Sequence, residues 1–142
     1  MTPADDQTER RSCCPVACTL DLIGDRWTLL VIRDLFRGVD RFSGFHRAPE
    51  RIATNILADR LDALVAHGLA ERFVPEGRKQ ARYRLTPAGR SLEPVLRAVA
   101  DWGLEHLPGT EARLAPPGGW SRPSDRSRDR CKPSTTPTRS RS

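Results

Sequence analysis

The sequence predicts a fold of the α+β class that is mainly α, and three observations lead to it. First, a short helical pattern over residues 42–47 is followed by a turn and by a longer helical pattern over residues 53–67. Second, two strand-like runs come next, at 69–74 and 81–85, and the loop 75–80 between them is basic. Third, helical patterns flank this segment on both sides. This order is the layout of a winged helix-turn-helix with N- and C-terminal dimerisation helices.

The N-terminal helical pattern predicts two helices, roughly 16–23 and 26–36. Apolar residues recur along both at spacings of three and four, which is the period of one helix face. Gly24 and the aspartate after it predict a break between them. Pro15 suits the first turn of the first helix, where its missing N–H costs nothing, and Gly38 is placed to end the second.

The helix-turn-helix itself is predicted from a proline and a second apolar stripe. Pro49 disfavours helical backbone in the residue before it, which places the turn at 48–51. Gly68 is predicted to end the second helix. The inward side chains of that helix are predicted to be Ile56, Leu57, Leu61, Leu64 and Val65. Its outward face is predicted to carry Thr54, Asn55, Ala58, Asp59, Asp62 and Ala66.

The hairpin and one last helix complete the predicted fold. In the first strand Leu69, Glu71 and Phe73 are predicted to face one way, and the residues between them the other. Thr86 is predicted as the N-cap, and Pro87 as the first residue, of a helix that continues to about residue 107.

An apolar stripe on the last helix predicts a homodimer. A domain of this size cannot easily cover such a stripe by itself, and stripes of this kind bury against a partner. The predicted interface comprises Val16, Leu20, Ile23, Leu92, Val95, Leu96, Val99 and Trp102. Ligand stacking is the alternative for Trp27 and Trp102, but their helical spacing favours packing in the core or the dimer. The dimer would hold two recognition helices about 34 Å apart, one turn of DNA.

The charge distribution separates the chain into a domain and a tail. Residues 1–12 are predicted to be a flexible arm, 13–109 the folded domain and 110–142 a disordered basic tail rich in Arg, Ser and Pro. The net charge is +6, but 1–109 carries 16 basic against 15 acidic residues, whereas 110–142 carries 8 against 3. Most of the positive charge therefore belongs to the tail. No apolar run approaches the ~18 residues of a membrane span, and the first twelve residues do not resemble a secretory signal, so we expect a cytoplasmic protein.

The predicted contacts with double-stranded DNA lie on the second helix and the hairpin. Asn55 can make a bidentate contact with adenine, and Thr54 can contact a thymine methyl group or a phosphate. The remaining candidates for phosphate or minor-groove contact are Arg41, Arg60, Arg78, Lys79 and Arg82. Three alternatives stay open: Thr54 caps the helix, Asp59 pairs with Arg60 or Arg41, and Arg60 or the wing residues only solvate the surface.

Several segments in a fixed order resemble the HxlR-type family of bacterial transcriptional regulators. They are Cys14-Pro15-Val16, the run 22–30 (LIGDRWTLL), Arg41-Phe42-Ser43, the run 52–61 (IATNILADRL), Gly68-Leu69 and the run 83–89 (YRLTPAG). The resemblance covers about two thirds of the chain and implies a homodimer that binds operator DNA as repressor or activator. The chain departs from the family in two respects. Many members have a longer segment before the second helix, typically with Gly before the isoleucine where Arg51 stands here, and the tail beyond Gly109 has no recognised counterpart.

Three of the four cysteines fall within six residues, which predicts a role for thiol chemistry. Cys14 precedes a helix N-terminus, whose dipole stabilises a thiolate and raises its reactivity. The resemblance implies that the cysteine of this Cys-Pro motif can sense oxidants or electrophiles, and Cys18 or Cys13 could resolve a sulfenic acid as a disulfide. Inert thiols are the alternative. The Cys-Cys-x3-Cys spacing is unusual for zinc, so no metal or other cofactor is predicted.

An enzyme is not predicted, because no phosphate-binding glycine loop, paired carboxylates or nucleophile elbow is present. The leading hypothesis is a DNA-binding regulator whose effector is unknown. The alternative is a protein-interaction module on a winged-helix scaffold, in which Asp59, Asp62 and Glu76 weaken the DNA face. In that case the basic tail would bind nucleic acid without sequence preference.

Overall fold

The structure, a computed structural model, describes residues 12–111. Its elements are α1 (Pro15–Ile23), α2 (Thr28–Phe36), α3 (Phe42–Phe45), α4 (Thr54–Ala66), β1 (Ala70–Phe73), β2 (Arg82–Leu85), α5 (Pro87–Arg90) and α6 (Glu93–His106). The predicted arm and tail, with Cys131, lie outside the described residues apart from 12, 110 and 111. The winged helix-turn-helix order predicted from the sequence is confirmed: α3 and α4 are its two helices, and β1 and β2 form the wing.

One apolar core joins α2, the helix-turn-helix and the wing. Phe45, Ile32, Leu57 and Leu61 are its largest fully buried side chains, and Tyr83 and Leu85 close it from β2. Trp27 packs against this core, as its helical spacing suggested. Val65, by contrast, is 37% exposed, so its predicted inward orientation is wrong. It lies in the last turn of α4, beyond the part of the helix that the core covers.

Two glycines end helices in the same way. Gly38 and Gly68 have positive φ angles, 86° and 71°, as the C′ residue of a Schellman motif requires. After α4 the N–H of Leu69 donates to the carbonyl of Leu64 at 2.9 Å. After α2 the N–H of Val39 donates to the carbonyl of Asp34 at 3.0 Å. Both predicted helix ends are therefore confirmed.

The joint between α1 and α2 is longer than the sequence suggested, because α2 begins at Thr28 and not near 26. In this joint the Asp25 carboxylate accepts hydrogen bonds from the N–H groups of Trp27 (3.0 Å) and Thr28 (3.2 Å). An acceptor in this position satisfies N–H groups that have no partner within the helix, so Asp25 holds the turn that leads into α2. The predicted break at Gly24 is confirmed.

The predicted single last helix is in fact two helices, α5 and α6. Thr86 caps α5 as expected, since its hydroxyl accepts from the N–H of Gly89 at 3.1 Å. The break at 91–92 follows from Pro94, which has no N–H to donate into the preceding turn and whose ring would clash with a helical carbonyl four residues earlier. Pro94 instead occupies the first turn of α6.

The wing is a two-stranded antiparallel sheet with Glu71 opposite Arg84 and Phe73 opposite Arg82. Arg84 pairs with Glu71 and lies over the ring of Phe73, with 4.4 Å from the guanidinium carbon to the ring centre. Both contacts lie on the face that the alternation assigned to Glu71 and Phe73. Leu69 and Ala70 are both buried, because the start of the hairpin is enclosed by the core.

The predicted dimer surface divides into exposed and buried parts. Val16, Leu20, Val99 and Trp102 are all more than half exposed, and Val95 is 38% exposed. Leu96 and Ile23 are buried in the protomer, at 6% and 4%, and Leu92 packs against the core. These three were expected at the interface and pack within the protomer instead. Leu96 is buried because α6 turns this side of the helix onto the domain.

Arg51 adopts a left-handed backbone conformation, with φ of 50°, directly before the buried Ile52. A side chain in this region costs roughly 1 kcal/mol relative to glycine. We expect Arg51→Gly to raise the free energy of unfolding by about 0.5–1 kcal/mol, measured by urea denaturation. Gly68→Ala, at a φ of 71°, is the matched control and should lower it. A loss of stability in Arg51→Gly would show that the Arg51 side chain makes a contact that outweighs the backbone strain.

Candidate nucleic-acid interface

The recognition helix α4 begins without a side-chain cap. Its N-cap residue is Ala53, and Thr54 is the first helical residue. The alternative that Thr54 caps the helix is therefore wrong. Thr54, Asn55 and Asp59 are exposed. The first N–H groups of the helix are left without a side-chain acceptor, and such groups together with the helix dipole favour an anion such as a phosphate.

An ionic network holds the turn before this helix, and sequence reasoning missed it. Arg33 of α2 makes two hydrogen bonds to the Glu50 carboxylate, at 2.8 and 3.1 Å, and one to Asp34 at 3.0 Å. Arg33 and Asp34 are only 7% and 4% exposed. Burial raises the pKa of Asp34, whereas the hydrogen bonds from Arg33 lower the pKa of Glu50. The only sequence signal was an Arg-Asp pair within an otherwise apolar helix.

A histidine contributes a second contact at the same turn. His46 Nδ1 lies 3.2 Å from the carbonyl oxygen of Ile52, close enough for the ring N–H to donate to it. The ring also packs edge-on against Phe42 at 5.4 Å between centroids. His46 thus links α3 to the residues that lead into α4.

Two of the predicted DNA contacts are engaged within the protein. Arg60 lies 3.6 Å from Asp25 in the joint between α1 and α2. Arg82 donates to Asp40 at 2.8 Å, and the backbone N–H of Tyr83 donates to the carbonyl of the same residue at 2.9 Å. These contacts attach the wing to the loop between α2 and α3. Of the two partners suggested for Asp59, Arg60 therefore pairs with Asp25 instead.

The tip of the wing carries the exposed basic residues. Arg78 and Lys79 are both exposed, and the turn before them closes with a hydrogen bond from the N–H of Arg78 to the carbonyl of Pro75 at 3.0 Å. Gly77, with φ of 73°, occupies the position of that turn that needs a left-handed residue. Arg41, at the start of α3, is exposed as well.

The three cysteines that the structure describes lie at and before the start of α1, at the N-terminal end of the described residues. Cys14 is the N-cap of α1 and is exposed, as is Cys13. Cys18, one turn into the helix, is partly buried, and its Sγ lies 3.2 Å from the carbonyl oxygen of Ser12. The N–H of Cys18 donates to the carbonyl of Cys14 at 2.9 Å, so the two residues are on the same helix face.

Within residues 12–111 no group of three or more His, Cys, Asp or Glu side chains could hold a metal ion. The same part of the chain contains no helix that is long and apolar enough to cross a membrane.

Three features are typical of a winged helix-turn-helix transcriptional regulator. They are a second helix that begins without a side-chain cap, a preceding turn held by ion pairs, and a basic wing. The model of the HxlR-like helix-turn-helix family matches residues 22–111. The chain belongs to this family.

Named relatives agree with this assignment. The chain is 36% identical over 105 residues to the HTH-type transcriptional regulator sll1512 of Synechocystis, covering 73% of this chain and 78% of that one. It is 43% identical over 98 residues to the HTH-type transcriptional regulator Rv3095 of Mycobacterium tuberculosis, where it spans 68% of this chain and only 61% of the relative. The structure is similar to that of the redox regulator HypR in its oxidised form, with a TM-score of 0.60, 33% identity and coverage of 66% and 97%.

Proposed function

We propose that this protein is a cytoplasmic regulator that binds operator DNA as a homodimer, with α4 in the major groove and the wing beside it. The observation that carries the proposal is the start of α4, where uncapped N–H groups, Thr54 and Asn55 lie together on an exposed surface. Asn55 would read a base, and the N–H groups would hold a phosphate. Arg78 and Lys79 supply the positive charge that the wing needs against the DNA backbone.

The test is binding to the protein's own upstream promoter DNA, measured by fluorescence anisotropy against a scrambled duplex of equal length. We expect Asn55→Ala to lower affinity for the specific duplex by about 5- to 150-fold and to relax specificity, because one bidentate base contact is lost. The double variant Arg78→Ala/Lys79→Ala should weaken binding to both duplexes and reduce the slope of log affinity against log salt by about 2.

Arg90→Ala is the control for this experiment. It removes an exposed positive charge from α5, outside the proposed interface. It should leave both the specificity and the salt slope close to wild type. Equal affinity of the wild-type protein for the two duplexes would contradict the proposed function.

Exposed acids on α4 favour the second candidate, a protein-interaction module whose nucleic-acid binding comes from the tail. Asp59 and Asp62 are both exposed on the helix that would enter the groove, where they repel phosphates. A chain truncated after residue 111 separates the two candidates. Under the leading proposal it keeps sequence preference, and under the alternative it loses all binding.

Control by cysteine oxidation extends the proposal, and it is supported by the exposed position of Cys14 at the start of α1 and by the similarity to a redox regulator. Oxidation by diamide or peroxide would join Cys14 in a disulfide with Cys18 or Cys13, either of the same subunit or of the second subunit. Because α1 carries part of the proposed dimer surface, such a bond would alter the spacing of the two recognition helices.

We therefore expect diamide to change specific DNA affinity of the wild-type protein by at least about tenfold, the scale of a typical coupling free energy. Cys14→Ser should abolish this response and leave binding of the reduced protein unchanged. Cys131→Ser is the matched control and should respond as the wild type does. A Cys14→Ser protein that still responds to diamide would exclude Cys14 as the sensor.

A further inference from the structure

The Asp25 carboxylate is held in one orientation by the first turn of α2. One oxygen accepts the N–H groups of Trp27 and Thr28, and the other accepts the hydroxyl of Thr28. Partial burial by itself would raise the pKa of Asp25, but the bonds from Thr28 and Trp27 and the charge of Arg60 outweigh it and lower the pKa. Asp25 is therefore a fixed negative charge at the joint between α1 and α2.

Arg60 reaches this charge from the recognition helix. Its Nη1 atom lies 3.6 Å from Oδ1 of Asp25, and both side chains are about one third exposed, at 35% and 31%. The Nε atom of Arg60 is buried and, among the residues that the structure describes, has no hydrogen-bond acceptor. A buried donor without an acceptor has a desolvation cost, so the position of the Arg60 side chain is not explained by its own hydrogen bonds.

The position of Arg60 around α4 also separates it from the readout surface. Successive helical residues are turned by about 100°, so Arg60 lies about 120° from Thr54 and about 140° from Asn55. Leu57, Leu61 and Leu64 define the buried face of α4, and Arg60 stands beside that face. A side chain there is poorly placed to enter the same groove as Asn55.

We propose that Arg60 and Asp25 form a positioning pair, which sets the angle of the recognition helix against the joint between α1 and α2. Arg60 then acts on DNA recognition through Asp25 and does not itself contact DNA. The inference rests on the proposed DNA-binding function and deepens it. It also connects α4 to the joint that follows α1, the helix that begins after Cys14 and carries the exposed Val16 and Leu20.

Backbone and side-chain contacts hold the joint on both sides of Asp25. A Cβ atom at Gly24 would lie 2.3 Å from the carbonyl oxygen of Leu20, so no larger residue fits without a shift. The N–H of Gly24 donates to the same carbonyl at 2.7 Å. The hydrogen bond at Gly24 and the bonds of the Asp25 carboxylate give Arg60 a partner in a defined position.

The experiment is a double-mutant cycle of Asp25→Asn, Arg60→Gln and the two combined. Asparagine keeps an oxygen for the N–H groups of Trp27 and Thr28, and glutamine keeps part of the apolar stem of Arg60. Specific and scrambled duplexes are compared over a range of KCl concentrations, at a temperature where circular dichroism shows every variant to be folded. Wild-type binding is measured first.

We expect each single substitution to lower the ratio of specific to scrambled affinity by about tenfold, and the double variant to lower it no further. The salt slope should stay that of the wild type in all three. The result for Asp25→Asn is the sharpest, because removing an acid should by simple electrostatics strengthen DNA binding. Glu105→Gln, an exposed residue of α6, makes the same charge change and should leave the ratio unaltered.

Other outcomes would overturn the inference. If Arg60→Gln alone reduces the salt slope by about 0.9 and Asp25→Asn binds as the wild type does, Arg60 is a phosphate contact. If the double variant loses specificity by the sum of the two single losses, in free energy, the residues act independently. If no variant changes the ratio of specific to scrambled affinity, the pair has no positioning role. Equal wild-type affinity for both duplexes would instead overturn the proposed function, and this inference with it.

Discussion

Arg33→Met is expected to lower the free energy of unfolding by about 3–5 kcal/mol, which is the scale of breaking a buried ion pair. The substitution keeps the apolar volume of the side chain but removes both bonds to Glu50 and the bond to Asp34. Asp34, only 4% exposed, would be left as a buried charge without its main partner. Urea denaturation at pH 7 measures the effect.

Arg37→Met is the matched control for this prediction. Arg37 lies 3.5 Å from the same Asp34 carboxylate, but its side chain is 32% exposed. Its removal should cost no more than about 1 kcal/mol. The triple variant Arg33→Met/Asp34→Asn/Glu50→Gln, in which no buried charge remains, should recover part of the loss. An effect of Arg33→Met as small as that of Arg37→Met would contradict the prediction.

The pH dependence gives an independent check. Because the pKa of Glu50 is lowered in the folded protein, its contribution to stability is present above its unfolded pKa and is lost as the pH falls through the folded pKa. Burial raises the pKa of Asp34 in the folded protein, so the free-energy cost of burying its charge falls as the carboxylate is protonated at lower pH. The difference in stability between wild type and Arg33→Met should therefore narrow as the pH is lowered from 7 toward 4.

Val99→Asp is expected to convert the proposed dimer into a monomer and to lower specific DNA affinity by about 100-fold or more, because two linked half-site contacts become one. Val99 is 53% exposed in the middle of the surface formed by Val95, Ala98 and Trp102 on α6. An aspartate there would be buried without a partner in a dimer, but solvated in a monomer. Light scattering after gel filtration reports the mass, and anisotropy reports the affinity.

Val74→Asp is the control for the oligomeric state. Val74 has nearly the same exposure, 51%, but it follows β1 in the wing. The Val74→Asp protein should have the same mass in solution as the wild-type protein. A Val99→Asp protein that remains dimeric would exclude the α6 surface as the interface.

The order of elements and most helix ends could be predicted because their causes are local. Gly38 and Gly68 end helices through their own left-handed backbone, and Thr86 caps α5 through a residue three positions later. The apolar period of α4 placed Leu57, Leu61 and Leu64 inside the protein. Pro94 was as visible as these signals, and the break that it imposes before α6 could have been predicted from it.

The exposed candidates of the site were also predictable from the chain alone. Thr54 and Asn55 follow from helical phase, and Arg78 and Lys79 follow from the position of the turn that contains Gly77. Each of these assignments needs only the spacing within one element. Their contacts with DNA stay predictions.

Only the tertiary structure decided which charged groups meet. Glu50 lies 17 residues from Arg33, and Asp40 lies 42 residues from Arg82. Asp25 lies just before α2 and Arg60 lies in α4, and the apolar periods place these two helices in the same core without fixing the angle between them. The sequence around an arginine is the same whether its side chain contacts DNA, solvent or a carboxylate. Its partner is set by how helices and strands pack, because that packing determines which distant atoms come within a few ångströms of each other.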